Sequence, residues 1–372
     1  MSEQNIRKLL AGGRDDAVAI SAPGRPSLTY KALTEHIDDI GAQLASKGLT
    51  NSDRVAIVLA NGPEMASAFL CVSSYMSAAP LNPSYKQAEY EFYLEDLNPK
   101  LLVLEENSVN PAREAAIKLS IPVAEIKVLQ QAPAGSFTLF EGHEQIELPD
   151  EQAEALVLHT SGTTSRPKLV PLTQSNLVAS AGNIAATLSL SDADHSLNIM
   201  PLFHIHGLIA VLCASISAGA SVCCTPGFNA LKFFELAASQ KITWYSGVPT
   251  MHQAILLRGQ RQAKTAKALN LRFIRSSSAS LPPAVFDELA ELFECPVIEA
   301  YGMTEATHQM TSNPLPPQVQ KAGFVGLPAG PEVCIMDEAG NQLKNGLEGE
   351  VCIKGDNVTL GYDNNPKANT QS

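Results

Sequence analysis

The chain has 372 residues, 45% hydrophobic and 17% charged, a composition that can bury a large core and predicts two or three subdomains. Its formal net charge of −12 argues against a nucleic-acid backbone or an anionic membrane as the main partner, so any phosphate must be held by a local site. No positive-then-apolar leader opens the sequence, no apolar run is long enough to span a bilayer, and the seven cysteines, odd in number and irregularly spaced, read as reduced core thiols of a cytoplasmic protein.

Residues 55–59, an unbroken Val-Ala-Ile-Val-Leu run, predict a buried strand, residues 63–76 a helix, and residues 101–104 the next strand. That alternation predicts a parallel α/β sheet. Residues 131–150, rich in Pro, Gly and polar groups, predict a surface connection. Leu156, Val157 and Leu158 read as a short strand leading into His159, Thr160, Ser161, Gly162, Thr163, Thr164, Ser165, Arg166, Pro167 and Lys168. Such a loop can wrap anionic oxygens with backbone N–H groups and hydroxyls, while Arg166 and Lys168 add positive charge. It is not a Walker A loop, because Lys168 follows Pro167 and precedes Leu169.

Next come His204 and His206, which on an extended segment would share a face. Residues 211–224 are apolar and glycine-punctuated, 231–240 predict a helix and 242–245 a strand. Residues 271–274 predict a strand that ends in Arg275, Ser276, Ser277, Ser278, Ala279 and Ser280, small side chains that let a ligand approach the backbone. A helix is predicted over 283–293, with proline at its start. After the apolar residues 296–298 stand Tyr301, Gly302, Met303, Thr304 and Glu305: an aromatic face, a flexible glycine, a hydroxyl and a carboxylate, the parts needed to stack a base, orient a phosphate and hold Mg²⁺. From about residue 323 the texture changes to short strands joined by turns, at 333–336 and 349–353, with a hairpin-like Gly349 to Gly355 string followed by Gly361 and Tyr362. No internal repeat is present. The predicted fold is α/β: two packed αβα subdomains with mainly parallel sheets over about 1–322, and a small, incomplete β subdomain over about 323–372.

In order and spacing these clusters resemble the adenylate-forming superfamily of acyl-CoA synthetases, luciferases and peptide-synthetase adenylation domains. The similarity extends to Leu28-Thr29-Tyr30, Asp53-Arg54-Val55-Ala56 and Pro80-Leu81-Asn82-Pro83, so it spans nearly the whole chain. It implies that Thr160, Ser161, Gly162, Thr163, Thr164 and Lys168 cradle the ATP β- and γ-phosphates. Tyr301 would lie against the adenine, with Glu299, Ala300, Gly302 and Met303 beside the nucleotide. Thr304 would contact the α-phosphate, Thr160 and Glu305 would hold Mg²⁺, and His204 would line the route between carboxylate and adenylate. Ser278, Ala279 and Ser280 match the segment flanking adenine and acyl pocket. Lys168, His204, Thr304 and Glu305 are the implied catalytic residues, ATP (or AMP), Mg²⁺ and coenzyme A the implied ligands, and a small carboxylic acid the implied substrate.

Ser165 and Leu169 depart from the glycines usual in the family, and Ser165 looks closest to the oxalyl-CoA synthetase-like subgroup. A polar pocket of His204, His206, Ser246 and Ser277 would suit a short dicarboxylate better than a fatty chain. The chain stops at Ser372, before the family's Thr-Gly-Asp element and small C-terminal domain with its lysine. The resemblance therefore implies the large domain alone, weak nucleotide binding and little complete ligation. An adenylation module that loads a carrier protein and a non-catalytic adenylate-binding fragment are the alternative readings.

Overall fold

The computed structural model describes residues 4–128, 131–160 and 167–371. The strands run β1 (Val18–Ser21), β2 (Leu28–Thr29), β3 (Arg54–Val58), β4 (Ser77–Pro80), β5 (Leu101–Glu105), β6 (Val123–Ile126), β7 (Glu154–His159) and β8 (Leu169–Thr173). They continue with β9 (His195–Asn198), β10 (Ser221–Cys224), β11 (Trp244–Gly247), β12 (Phe273–Ser276), β13 (Val297–Met303), β14 (His308–Ser312), β15 (Leu327–Pro328), β16 (Glu332–Met336) and β17 (Glu350–Lys354).

Among the described residues these strands form a six-stranded sheet ordered β6-β5-β3-β4-β7-β8, a nine-stranded sheet ordered β15-β14-β13-β12-β11-β9-β10-β1-β2, and the separate hairpin β16-β17. Parallel pairing dominates both large sheets, with antiparallel strands at the edges and between β7 and β8. The expected α/β architecture of two mainly parallel sheets and a small β unit is what forms. One pairing was not foreseen: β1, near the N-terminus, runs parallel to β10 in the second sheet, so the two halves are interlaced rather than consecutive.

Helices fill the space between the sheets. Helix Pro63–Tyr75 begins with proline at its first turn and buries nearly every residue, as a helix apolar all round must. Helix Tyr30–Ala45 packs on it from a Thr29 cap whose hydroxyl accepts from the Ala32 N–H. Helix Gln174–Thr187 starts from a reciprocal Thr173–Asn176 capping box. Helices Gln87–Leu97 and Ala112–Lys118 cover the outer face of the first sheet. Helices Phe233–Ser239, Pro249–Gly259 and Pro283–Phe293 cover the outer face of the second. Among the described residues no helix is long and apolar enough to cross a membrane.

All seven cysteines are free. Cys71, Cys213, Cys223, Cys224 and Cys295 are buried, whereas Cys334 and Cys352 are half-buried and face each other across β16 and β17.

Candidate functional site

In the second sheet β10 lies on one side of β9 and β11 on the other. The chain order therefore reverses at the β9–β11 boundary, and the carboxyl ends of β9, β11, β12 and β13 open into a cleft there. This cleft holds a 560 Å³ cavity lined by Thr160, Phe203, His204, His206, Val248, Ser278, Gly302, Met303, Thr304, Glu305 and His308 among others.

The first sheet supplies one wall. β7 and β8 pair antiparallel up to His159 opposite Leu169, and the stem closes beyond them: the Thr160 N–H donates to the Lys168 carbonyl at 2.9 Å, and the Lys168 N–H donates to Thr160 Oγ1 at 3.0 Å. Ser161, Gly162, Thr163 and Thr164, four of the expected phosphate-binding residues, lie outside the described residues, as do Ser165 and Arg166. Asn61, at the carboxyl end of β3, clamps the two halves together: it donates to the Thr225 carbonyl at 3.0 Å and accepts from the Leu202 N–H at 2.8 Å.

The second wall is the β13–β14 hairpin. Gly302 is required by close approach, because a Cβ there would lie 1.5 Å from the His308 carbonyl oxygen. Thr304, Glu305 and Ala306 make one turn of 3₁₀ helix, and Thr307 and His308 then take positive φ of 48° and 93°. The 355–363 segment braces this turn. The Thr359 N–H donates to the Glu305 carbonyl, Asn357 donates to the carbonyls of Ala306 and Gln309, and the Asp363 N–H donates to the Leu169 carbonyl beside the loop stem. Tyr362 joins the two walls: its hydroxyl donates to Glu305 Oε1 at 2.7 Å, while Lys168 Nζ sits over its ring, 4.1 Å from the centroid. Burial, then the Glu305 hydrogen bond, raises the Tyr362 phenol above its usual range, so it stays a donor.

His204 and His206 are not on an extended segment. Residues 201–205 form a turn leading into the π-helix His206–Cys213, and Gly207 packs so tightly that a Cβ would lie 2.4 Å from the Pro201 carbonyl oxygen. The two rings consequently do different things. His204 is exposed in the cleft, whereas His206 is buried, its Nδ1 2.9 Å from Ser278 Oγ and its Nε2 2.6 Å from Ser246 Oγ. Ser246 therefore stands behind His206 instead of lining the cavity. Ser277 is also displaced from the expected pocket, because its hydroxyl is buried and donates to the Ala300 carbonyl.

Thr160, His204, Ser278, Gly302, Met303, Thr304 and Glu305 are thus brought together, with Lys168 adjoining. Ala279 and Ser280 lie exposed beyond Ser278. Tyr301 lines a neighbouring cavity with Thr311, Val325 and Leu343. Ala300 is buried beneath the hairpin, and Glu299 is buried with its carboxylate accepting from the N–H groups of Leu281 and Gly323. One cavity-lining residue, His308, was missed, and Arg275, named only as the first residue of the 275–280 segment, was given no role of its own. His308 is buried with neither ring nitrogen hydrogen-bonded, 4.9 Å from the His206 ring, and Arg275 stands behind Ser246. Arg275 carried a readable signal, a charged residue at the end of an apolar strand. His308 carried none beyond its closeness to Glu305. Burial holds both His206 and His308 well below the usual histidine range, with the charge of Arg275 as the next cause, so both rings are neutral.

Among the described residues no cluster of three or more His, Cys, Asp or Glu could hold a metal ion. Glu305 instead offers a half-exposed carboxylate whose Oε2 takes no hydrogen bond from the described residues, and it lines the same cavity as Thr160. Hard oxygen donors this few suit Mg²⁺, which keeps its waters and completes its shell with substrate phosphates.

A family model described as AMP-binding enzyme matches residues 10–363. An oxalate–CoA ligase of Arabidopsis thaliana is 44% identical over 95% of this chain and 71% of its own length. An oxalate–CoA ligase of Saccharomyces cerevisiae is 37% identical over 96% of this chain and 71% of its own length. Among solved structures, ATP-bound MatB from Rhodopseudomonas palustris superposes with a TM-score of 0.87 at 25% identity, covering 99% of this chain and 73% of that one.

Proposed function

The chain belongs to the AMP-binding enzyme family, and from that premise we infer an acid–CoA ligase that activates a carboxylic acid with ATP and passes the acyl group to coenzyme A. We propose further that the acid is a short dicarboxylate of the oxalate class. The observation that carries this reading is the shared cavity: the loop stem, the Thr304–Glu305 turn and the polar groups of His206, Ser278 and His308 open on one 560 Å³ space, beside the apolar side chains of Met200, Phe203, Val248 and Met303, and it is the three polar groups that favour a short charged acid. The relatives named oxalate–CoA ligase support the same class.

In the first half-reaction a carboxylate oxygen of the acid attacks the α-phosphorus of ATP, the bond to the β-phosphate oxygen breaks, and pyrophosphate leaves. Two anions must be brought together while negative charge builds on phosphoryl oxygens, so positioning and cationic stabilisation supply most of the rate. In this proposal Lys168 and the Thr160 to Thr164 loop hold the β- and γ-phosphates, and Thr304 holds the α-phosphate. Tyr301 and the 278–280 segment flank the adenine, with Glu299 and Ala300 supporting them from beneath. His204 faces the path of the incoming carboxylate. Glu305 and Thr160 would hold Mg²⁺, which supplies neutralising charge to the phosphates. In the second half-reaction the coenzyme A thiolate attacks the acyl carbon and AMP departs. The seven free thiols suit a reducing compartment, and we place the protein in the cytoplasm.

Thermal shift with AMP, Mg²⁺-ATP and non-hydrolysable acyl-sulfamoyl adenosines, from oxalyl to long-chain, tests the reading. A ligand at 100 times its Kd adds about 2.7 kcal/mol to the native state. The oxalyl compound is expected to give the largest shift. A larger shift with a long-chain compound overturns the choice of acid, and no shift with any nucleotide overturns the assignment of the site.

A further inference from the structure

Arg275 lies on β12, in the middle of the nine-stranded sheet, and is completely buried. Among the described residues its guanidinium reaches only neutral acceptors: one terminal nitrogen is 3.5 Å from Ser246 Oγ, the other 3.2 Å from Gln309 Oε1, and Nε has no partner. Among the described residues no carboxylate pairs with it. The nearest buried one in the sheet, Glu299, opposite Ser276 on β13, is taken up by the backbone of Leu281 and Gly323. A buried charge without a counter-ion is strongly unfavourable and is normally paired. Burial lowers this guanidinium to about 9, which leaves it charged at neutral pH.

What lies between this charge and the cavity is a chain of polar groups. Arg275 reaches Ser246, Ser246 reaches His206 at 2.6 Å, and His206 reaches Ser278 at 2.9 Å. Beside them His308 presents a ring with no hydrogen bond, on a backbone held at a φ of 93°, a conformation that persists in a non-glycine residue only when its surroundings impose it. This side of the cavity therefore combines one positive charge behind it, neutral hydrogen-bonding rings and a hydroxyl, while the one carboxylate among the described lining residues, Glu305, is held by the Tyr362 hydroxyl.

We propose that Arg275 is a specificity-determining positioning residue of the acyl pocket: acting through Ser246 and His206, it supplies the positive charge that the second carboxylate of a short dicarboxylic acid neutralises. This inference rests on the adenylation reading of the cleft. A monocarboxylic acid must commit its single anion to the α-phosphorus and leaves the Arg275 charge unmatched. A dicarboxylate reacts through one end while the other rests on the rings of His206 and His308 and the Ser278 hydroxyl. Arg275 itself need not touch the acid, because a charge in a dry interior acts over several ångströms with little screening.

The test compares affinities for AMP, acetyl-sulfamoyl adenosine and oxalyl-sulfamoyl adenosine, which need no turnover. The two acyl compounds differ at the acyl end by a methyl against a carboxylate. The protein should prefer the oxalyl compound by about 100-fold, the range expected when a buried charge is matched or left unpaired. Arg275→Met, which removes the charge, and Gln309→Glu, which keeps the guanidinium and pairs it internally, should each cut that preference by about 10-fold or more while AMP affinity stays within about 2-fold. A merely structural role would lower all three affinities together. If Arg275→Met fails to fold, as judged by lost AMP binding, Gln309→Glu decides. A preference that survives in a variant still binding AMP overturns the proposal, as does wild-type protein that binds AMP and favours the acetyl compound. Wild-type protein that binds neither AMP nor either acyl compound overturns the adenylation reading instead.

Discussion

Glu305 and Tyr362 illustrate how one contact divides two roles. Glu305 offers the only carboxylate lining the cavity among the described residues, and Tyr362 fixes one of its oxygens at 2.7 Å while its ring receives Lys168. Glu305→Gln keeps the shape and the tyrosine contact but loses the charge that a cation needs, so it should weaken Mg²⁺-ATP at least about 10-fold and leave magnesium-free AMP nearly unchanged. Calorimetric titrations with and without Mg²⁺ separate the two, and equal losses would refute the metal role. Tyr362→Phe retains the ring under Lys168 and removes one hydrogen bond to a charged group, worth about 1.5–3 kcal/mol, so Mg²⁺-ATP should weaken while AMP again holds. Glu305 was legible in the sequence because its neighbours Tyr301, Gly302 and Thr304 carry a pattern. Tyr362 was legible only as part of a string: its job is set by a contact 57 residues away in the chain, and local spacing carries no information about that. His308 was invisible for a related reason, since its importance comes from a left-handed turn that no composition signal marks.

The β13–β14 hairpin makes a sharper demand on sequence than the helices do. With β14 passing so close, Gly302→Ala must push the strands apart or move His308, an overpacking that costs roughly 1–3 kcal/mol and should also lower AMP affinity. Gly182, in helix Gln174–Thr187, provides the opposite case: it is exposed and a Cβ there meets nothing within 4 Å. Gly182→Ala should be neutral to stabilising by up to about 1 kcal/mol. Urea midpoints for the two variants check both signs, and a destabilised Gly182→Ala would mean that the helix is constrained by something other than its visible neighbours. Elements built from short-range pattern were readable: helix Pro63–Tyr75 came within one residue of its expected end, and Pro283–Phe293 matched. The π-helix His206–Cys213 was not, because an apolar run buried on every side shows no periodicity that separates one helix type, or a strand, from another. Nor was the place of β1, whose partner β10 lies some two hundred residues downstream.

The molecule as a whole was legible in its class and its sign of charge, and its charge sets up a competition at acid pH. A net charge of −12 and a pI near 5.2 mean that acidification from neutrality relieves general repulsion, which favours the folded state. Against this stand buried neutral histidines. Burial lowers His36 and His252 to about 4, and holds His206 and His308 well below the usual value. In the unfolded chain each would titrate near 6.5, so between that pH and about 4 the unfolded state binds more protons than the folded one, and stability must fall as pH falls. Each such group contributes up to about 1.4 kcal/mol per pH unit in that window, and four together outweigh surface repulsion, which salt screens. Carboxylates are not the cause, because groups such as Asp38, whose ordinary range is already low, lose their contribution only below it. Urea midpoints should therefore be level from about pH 8 to 6.5 and decline steadily toward pH 4.5. His252 is fully buried, with Nδ1 3.3 Å from the Tyr245 hydroxyl and Nε2 unpaired, and His252→Leu should flatten part of the decline without moving AMP binding. A midpoint that rises toward the pI would show that general repulsion, and not the protonation of buried rings, governs the acid limb.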